Sequence, residues 1–384
     1  MGAGREESVN SSFLRSLLGQ IVEPWYTSLA DPVGSQQKTL SSLLEGYAKS
    51  EYGQRYGADR IETIEEYRAS FPVTSYQSLL SCFDQVKAGN YAVLLPEPAV
   101  RWVMTRGSTG KPKVIPATET HLSQILSVGA RAVVNFALKK NPEVLENAVL
   151  NLNFPSEVYQ FESPSGCVPY GYSSGTYAKL NPELRGARLV PRQEEIDSLG
   201  GGTTRHDWER RFELVYERAS EVDLGSLIGV TPVMVSFANF VRRKYGLLPK
   251  SKWKPRALFC TSVAKIQTKY KSILQHFYGP APVVEMYTAT EGVFCQQLDD
   301  LPYVSPNYDV YLFEVATSRG LRMFHEMKPN EWGRVVVSTS MLPRYDIGDL
   351  VESLGKGYFR VFGRARTLTV LEHNLFNLIS ARWS

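Results

Sequence analysis

Between Leu227 and Tyr287 the chain alternates short apolar runs with helix-like stretches, and this alternation constrains the fold more than any other feature. Leu227-Ile228-Gly229-Val230, Ala257-Leu258-Phe259-Cys260 and Val283-Val284-Glu285-Met286-Tyr287 read as strands. Thr231-Pro232 opens a helix after the first run, with proline at the first helical position, where its missing N–H costs nothing. Ile266 to Phe277 reads as a second helix. Strands separated by helices of this length predict an α/β architecture with a mostly parallel sheet.

The flanks differ. Phe13, Leu14, Leu17, Leu18 and Ile21 recur at helical spacing, as do Leu40, Leu43, Leu44 and Tyr47. Thr63 followed by Glu66 forms a capping box. The first ninety or so residues are therefore expected to be helical. Ala92-Val93-Leu94-Leu95 and Val100-Arg101-Trp102-Val103-Met104 read as strands, and Thr118 caps one long helix running toward Leu138. Residues 153–206 are rich in Pro, Gly and Ser, which predicts irregular loops and short strands beside a binding cleft. An amphipathic helix covers Asp207 to Glu221. From Val310 onward the pattern is β-rich, at Val310–Val315, Arg334–Thr339 and Tyr358–Phe362.

Composition narrows the class of function. A net charge of +4 over 384 residues is small, and basic groups such as Arg242-Arg243-Lys244 flank helix ends, where cations oppose the helix dipole. This argues against a nucleic-acid footprint. Cys82, Cys167, Cys260 and Cys295 form no CxxC pair, which predicts neither a zinc site nor a disulfide framework. Met1–Asn10 lacks an apolar signal core, and Ile125–Leu138, interrupted by Arg131 and Asn135, is too short to span a bilayer. A cytoplasmic protein without a membrane or nucleic-acid partner is expected.

Three segments carry chemistry. Thr105-Arg106-Gly107-Ser108-Thr109-Gly110-Lys111-Pro112-Lys113 lies between two strand-like runs. Two glycines let amides turn toward an anion, two hydroxyls donate and two lysines add charge, as a polyphosphate requires. It is not a Walker A loop, because Lys111 precedes Pro112 and a strand follows instead of a helix. By itself it reads equally as a surface hairpin turn. Tyr287-Thr288-Ala289-Thr290-Glu291-Gly292 closes a buried strand, placing its polar residues at the carboxyl end of a parallel sheet, where ligands bind. Tyr offers a flat face to a base, Thr a phosphate contact and Glu a hard oxygen for Mg²⁺. Arg344-Tyr345-Asp346-Ile347-Gly348-Asp349 ends in a carboxylate able to accept both hydroxyls of a ribose.

In combination these segments resemble the adenylate-forming superfamily of acyl-CoA synthetases, peptide-synthetase adenylation domains and luciferases. The specific resemblance is to the GH3 acyl-acid amido synthetases. It covers nearly the whole chain, including Phe71-Pro72-Val73-Thr74-Ser75-Tyr76 and Lys113-Val114-Ile115-Pro116. It implies ATP and Mg²⁺, with Ser108, Thr109, Gly110 and Lys113 on the phosphates, Tyr287 stacked on adenine and Thr290 at the α-phosphate. Glu291 would hold the metal, with Asp349 and Arg364 at the ribose; Lys113 and Thr290 would be catalytic. Arg106 and Asp346 depart from the family pattern, and Asp346 puts a like charge near Asp349.

The resemblance further implies a large adenylation domain at 1–363, with 364–384 as hinge and the start of a small C-terminal domain that is otherwise absent. The reaction implied is activation of a small-molecule carboxylic acid as an acyl-adenylate, followed by transfer to an amine. Transfer to the thiol of CoA or a carrier protein, and a non-catalytic nucleotide- or acid-binding homologue, stay open. The acid is expected beside Tyr172, Ser173, Val230, Thr231 and Met234. Gly171-Tyr172-Ser173-Ser174-Gly175 also matches the G-x-S-x-G of serine hydrolases, but the residues before it make a poor strand and the helix after it is doubtful.

Overall fold

A computed structural model describes residues 3–105, 112–181, 189–261, 263–365 and 369–370, with side chains from residue 16 onward. Helices dominate the N-terminal part: α1 (Ala3–Ala30), α2 (Pro32–Tyr47), α3 (Glu51–Arg55), α4 (Ile64–Ser70) and α5 (Tyr76–Lys87). Each start from α2 to α5 is capped by a side chain, as expected at a helix whose first amides lack partners. Asp31 accepts from Gly34, and Thr63 and Glu66 complete the capping box. Trp25 of α1 is fully buried and its Nε1 donates to the Pro306 carbonyl at 2.9 Å, fastening the helix to the body.

Three sheets follow. The hairpin β1 (Ala99–Met104) and β2 (Val114–Thr118) joins the hairpin β4 (Tyr159–Ser163) and β5 (Gly166–Tyr172) in the order β2-β1-β5-β4. The central sheet contains β3 (Ala148–Asn151), β6 (Leu189–Val190), β7 (Leu224–Val230), β8 (Ala257–Thr261), β9 (Val283–Ala289), β10 (Gly292–Gln296) and β11 (Ser305–Pro306). Its order is β11-β10-β9-β8-β7-β3-β6, parallel from β9 through β6 and antiparallel at β10 and β11. The third sheet is antiparallel: β12 (Leu312–Thr317), β13 (Gly320–Met323), β14 (Trp332–Ser338), β15 (Tyr345–Gly355) and β16 (Tyr358–Arg364), in the order β13-β12-β14-β15-β16.

Crossover helices cover the central sheet. On one face lie α10 (Arg205–Ala219), α11 (Thr231–Tyr245) and α12 (Lys271–Tyr278), meeting Leu227, Leu258 and Cys260. On the other lie α6 (Glu119–Gly129) and α7 (Arg131–Lys139), the latter with Phe136 edge-on to Phe259 at 5.9 Å. α8 (Ser173–Leu180) and α9 (Gln193–Ser198) pack together beside the sheets. Proline opens α11 as expected, and Gly246 closes it at φ 69°, a conformation that glycine adopts without a Cβ clash. The α/β architecture with a mostly parallel sheet is therefore present.

Three expectations change. Ala92–Leu95 is no strand: a 3-10 turn at Tyr91–Val93 buries Val93, Leu94 and Leu95 in the helical core. The apolar run is used for burial in every direction, which a period-of-two reading mistakes for a strand. The helix from Thr118 divides at Ala130, after Gly129, which weakens a helix interior. Arg131 there turns into a buried pair with Asp309 at 2.5 Å. Residues 153–206 hold the expected short strands, among them the pair β4 and β5, but also the helices α8 and α9 where irregular chain was expected; Gly171 and Gly175 serve close backbone packing.

Candidate active site

Register brings distant segments to one edge. β1 runs parallel to β5 with Met104 opposite Tyr172, so the chain leaves both strands side by side, toward the Thr105–Lys113 segment and into α8. Thr105 closes the loop at its base: its amide donates to the Lys113 carbonyl at 2.9 Å, and its hydroxyl accepts from the Lys113 amide at 3.0 Å. Ser108, Thr109 and Gly110 lie outside the described residues.

These strand ends border a cavity of about 1500 Å³. Its wall includes Thr105, Lys113, Tyr172, Ser173, Tyr287, Thr290, Glu291, Asp349 and Arg364. Sequence-predicted residues from five separate segments thus share one surface.

Lys113, Tyr287, Thr290, Asp349 and Arg364 are each held by a second contact. Lys113 Nζ donates to the Tyr345 hydroxyl at 3.1 Å and lies over the rings of Tyr345 and Tyr76, at 5.5 and 5.6 Å. Burial, then the neighbouring Glu291, pushes the Tyr345 phenol far up, so it stays a neutral donor. Asp349 and Arg364 face each other across the β15–β16 ladder, Nε to Oδ1 at 2.8 Å. Tyr287 donates its hydroxyl to the other oxygen, Asp349 Oδ2, at 2.8 Å. Burial raises the Asp349 pKa, opposed by Arg364 and by the Tyr287 bond. Both carboxylate oxygens keep further lone pairs for a ligand.

Thr290 is gripped from α8. Its hydroxyl is 3.1 Å from Ser173 Oγ, and its carbonyl accepts from the Tyr177 hydroxyl at 2.8 Å. Tyr76, Tyr177 and Tyr345 escaped the sequence reading as functional residues. Tyr76 and Tyr345 lie inside quoted motifs, yet nothing in those motifs says that they flank one lysine. Tyr177 carried no signal.

The Arg344 end of its motif is structural. Arg344 is buried at φ 44° and binds Glu314 with two bonds of 2.9 and 3.0 Å. It also donates to the carbonyls of Phe71 and Arg68. Thr74 pairs with the backbone on both sides of Tyr345, which explains the Phe71–Tyr76 segment: it splints the strand that carries Asp349. Asp346 accepts from Gly348 at 2.9 Å and pairs with Arg334 at 3.0 Å, so its charge is compensated away from Asp349.

The acid-site expectation needs correction at two positions. Tyr172, Ser173 and Val230 line the cavity, whereas Thr231 and Met234 are fully buried in core contacts. Thr231 donates to the Thr261 carbonyl, and the Met234 carbonyl accepts from Tyr278. The start of α11 turns these two side chains into the sheet.

The G-x-S-x-G segment does sit between a strand and a helix, contrary to expectation. Its glycines have a packing reason, however. A Cβ at Gly171 would approach the Ser156 carbonyl carbon to 2.4 Å, and one at Gly175 the Phe154 oxygen to 2.0 Å. Ser173 meets a threonine hydroxyl, and among the described residues no histidine lines the cavity. The elbow lacks its base.

A model of the GH3 family N-terminal domain matches residues 26–200. This part of the chain is similar to a GH3 family N-terminal domain. It contains the Thr105–Lys113 segment, Tyr172 and Ser173, whereas Tyr287–Glu291, Asp349 and Arg364 lie beyond the GH3 match and share in a likeness of fold. GH3.15 acyl acid amido synthetase is 16% identical, with a TM-score of 0.64 over 87% of this chain and 68% of that one. AtGH3.15 acyl acid amido synthetase in complex with 2,4-DB is 15% identical, with a TM-score of 0.71 over 92% and 71%. A 2-hydroxyisobutyryl-CoA ligase in complex with 2-HIB-AMP is 14% identical, with a TM-score of 0.61 over 86% and 67%. No curated protein matches by sequence. Among the described residues no helix is long and apolar enough to cross a membrane.

Proposed function

We propose that this chain uses ATP to activate a carboxylic acid as an acyl-adenylate. The observation that carries the reading is the convergence of Lys113, Thr290, Glu291, Asp349 and Arg364 on one cavity wall from four chain segments. A carboxylate oxygen of the acid attacks the α-phosphorus, a new P–O bond forms, and the bond to the departing pyrophosphate breaks. The protein contributes position and charge: Lys113, held by Tyr345, neutralises phosphate oxygens. Thr290, fixed from α8, meets the α-phosphate, and Asp349 with Arg364 takes the ribose hydroxyls. The ring of Tyr287 borders the base. Ser108, Thr109 and Gly110 complete the phosphate loop in this reading.

Mg²⁺ fits the site in one respect. Glu291 is buried on the cavity wall and offers a carboxylate, while no cluster of three ligating side chains exists among the described residues. That suits an ion held by one carboxylate plus substrate phosphates; when bound, it would neutralise phosphate charge. Residues 1–363 would act as the adenylation domain and 364–384 as the hinge region. The GH3 match and the amido synthetases among its structural neighbours favour an amine as acceptor, and the CoA ligase neighbour keeps a thiol as the second reading.

The test is ATP–pyrophosphate exchange driven by a panel of carboxylic acids. Exchange that depends on an acid and falls at least about 100-fold in Asp349→Ala supports the reading. ATP binding without exchange for any acid would overturn catalysis and leave a nucleotide-binding homologue.

A further inference from the structure

The cavity has a second part that the nucleotide chemistry does not use. Beyond Thr290 it continues between the central sheet and the α6–α7 pair, past Ile125, Leu126, Ala130, Val133, Ala137 and Leu138. From residue 130 to residue 138 the lining positions recur at helical spacing, which makes one apolar face about 12 Å long. Small side chains at the helix junction, Gly129 and Ala130, leave the space open. The opposite wall is β-sheet: Val149, Ile228 and Met286.

Charge is distributed unevenly. The charged residues lining the cavity are Lys113, Glu285, Glu291, Asp349 and Arg364 on the strand side and Glu146 beyond the end of α7; the lining positions of α6 and α7 themselves carry none. The polar residues of α7 are turned away and engaged. Arg131 binds Asp309 and Asn307, and Asn135 donates to the carbonyls of Gln297 and Leu298. Neither is free to pair with a second charge on a ligand. Along the α6–α7 face a polar group on a ligand loses hydration without a partner from these helices. Moreover, 1500 Å³ exceeds the roughly 300–1,000 Å³ of ordinary small-molecule pockets. A nucleotide beside the polar wall leaves room for a second molecule.

We propose that the acid activated here is an apolar monocarboxylic acid with an extended acyl chain, a medium- to long-chain fatty acid, whose tail lies along the α6–α7 face. This rests on the adenylation reading, which places the carboxylate near Thr290. The tail then runs away from the charged wall, and each methylene gains by leaving water until the helical face ends.

The experiment is a chain-length series, butyrate to tetradecanoate, measured twice on the full chain: by calorimetric binding without nucleotide and by ATP–pyrophosphate exchange. Binding is expected to tighten about fourfold per methylene, levelling off near a tail of about 12 Å. The kcat/KM for exchange should rise in parallel. Val133→Trp, at a half-buried position on the face, should move the optimum to shorter acids and leave the KM for ATP unchanged. Flat chain-length dependence in both measurements overturns the proposal, and exchange with some other acid would then leave adenylation standing. Chain-length-dependent binding without any exchange sinks adenylation itself, and with it the fatty acid as substrate.

Discussion

The two ends of the cavity are built by different rules. At the polar end, Lys113 has Tyr345 as a partner, and Asp349 has Arg364 and Tyr287. These groups sit on strand ends and ladder positions, so backbone register fixes their separation. At the apolar end, α6 and α7 supply shape and no charge. Preorganised partners keep the polar end from collapsing or reorganising when a phosphate arrives. The apolar end needs no such partners, because burial of hydrocarbon is non-directional. One end therefore selects by geometry, the other by volume.

The largest effect is expected beneath the polar end. Arg344→Ala leaves Glu314 buried, with Arg68 at 2.9 Å as its remaining partner. Breaking a buried pair of this kind costs about 3–5 kcal/mol, and Arg68 holds the loss toward the lower value. Urea unfolding measures it, and nucleotide affinity should fall with it, since the same arginine ties the Phe71 carbonyl to the strand leading to Asp349. A loss below about 1 kcal/mol would mean that the polar end does not lean on this pair.

Next comes Lys113→Ala. The exchange rate should drop about 100-fold, equivalent to about 2.7 kcal/mol of transition-state stabilisation. The unfolding midpoint should hardly change, because the lysine is only half-buried. Binding of an apolar acid in the absence of nucleotide should be untouched. Equal losses at both ends would break the distinction between them.

The same contrast explains what the sequence disclosed. That Thr105, Lys113, Tyr287–Glu291 and Asp349 belong to one surface was legible because polar residues at short spacing after apolar runs stand out in the sequence; that they meet phosphate and ribose is proposed. Strand–helix alternation disclosed the parallel sheet for a similar reason: both periodicities are local. Arg344 was legible as part of a motif but its role was not, since its partner Glu314 lies 30 residues away. The apolar arm was not legible at all. Ala130, Val133 and Ala137 look like core, and only the split of the helix at Ala130 and the position of α7 over the sheet leave a space against them. Thr231 and Met234 failed in the opposite direction: a polar helix start after a parallel strand suggests a ligand, and the first turn of α11 rotates both inward. Ser108, Thr109 and Gly110 lie outside the described residues, so their part in the site is still proposed from the motif.

The smallest effect tests the boundary between the ends. Glu285 lies on the cavity wall two residues before Tyr287, and burial pushes its carboxyl up to about 8, from an ordinary value of 4.5. In an unfolded chain the proton leaves near 4.5, whereas the folded protein keeps it to about pH 8. The unfolded state is thus the one that gains from rising pH, and stability falls through that interval. Below about pH 4.5 the contribution of the neutral carboxyl is complete; above about pH 8 it is gone. Glu285→Gln keeps the shape and removes the titration. Its stability should be flat in this group's window, and at pH 8 it should exceed the parent by about 1 kcal/mol or somewhat more, with water in the cavity holding the gain down. Urea midpoints at pH 5, 6.5 and 8 measure it. A parent whose midpoint does not fall across those values has an ionised Glu285, which would carry negative charge past Tyr287 toward the apolar arm and erase the boundary drawn here.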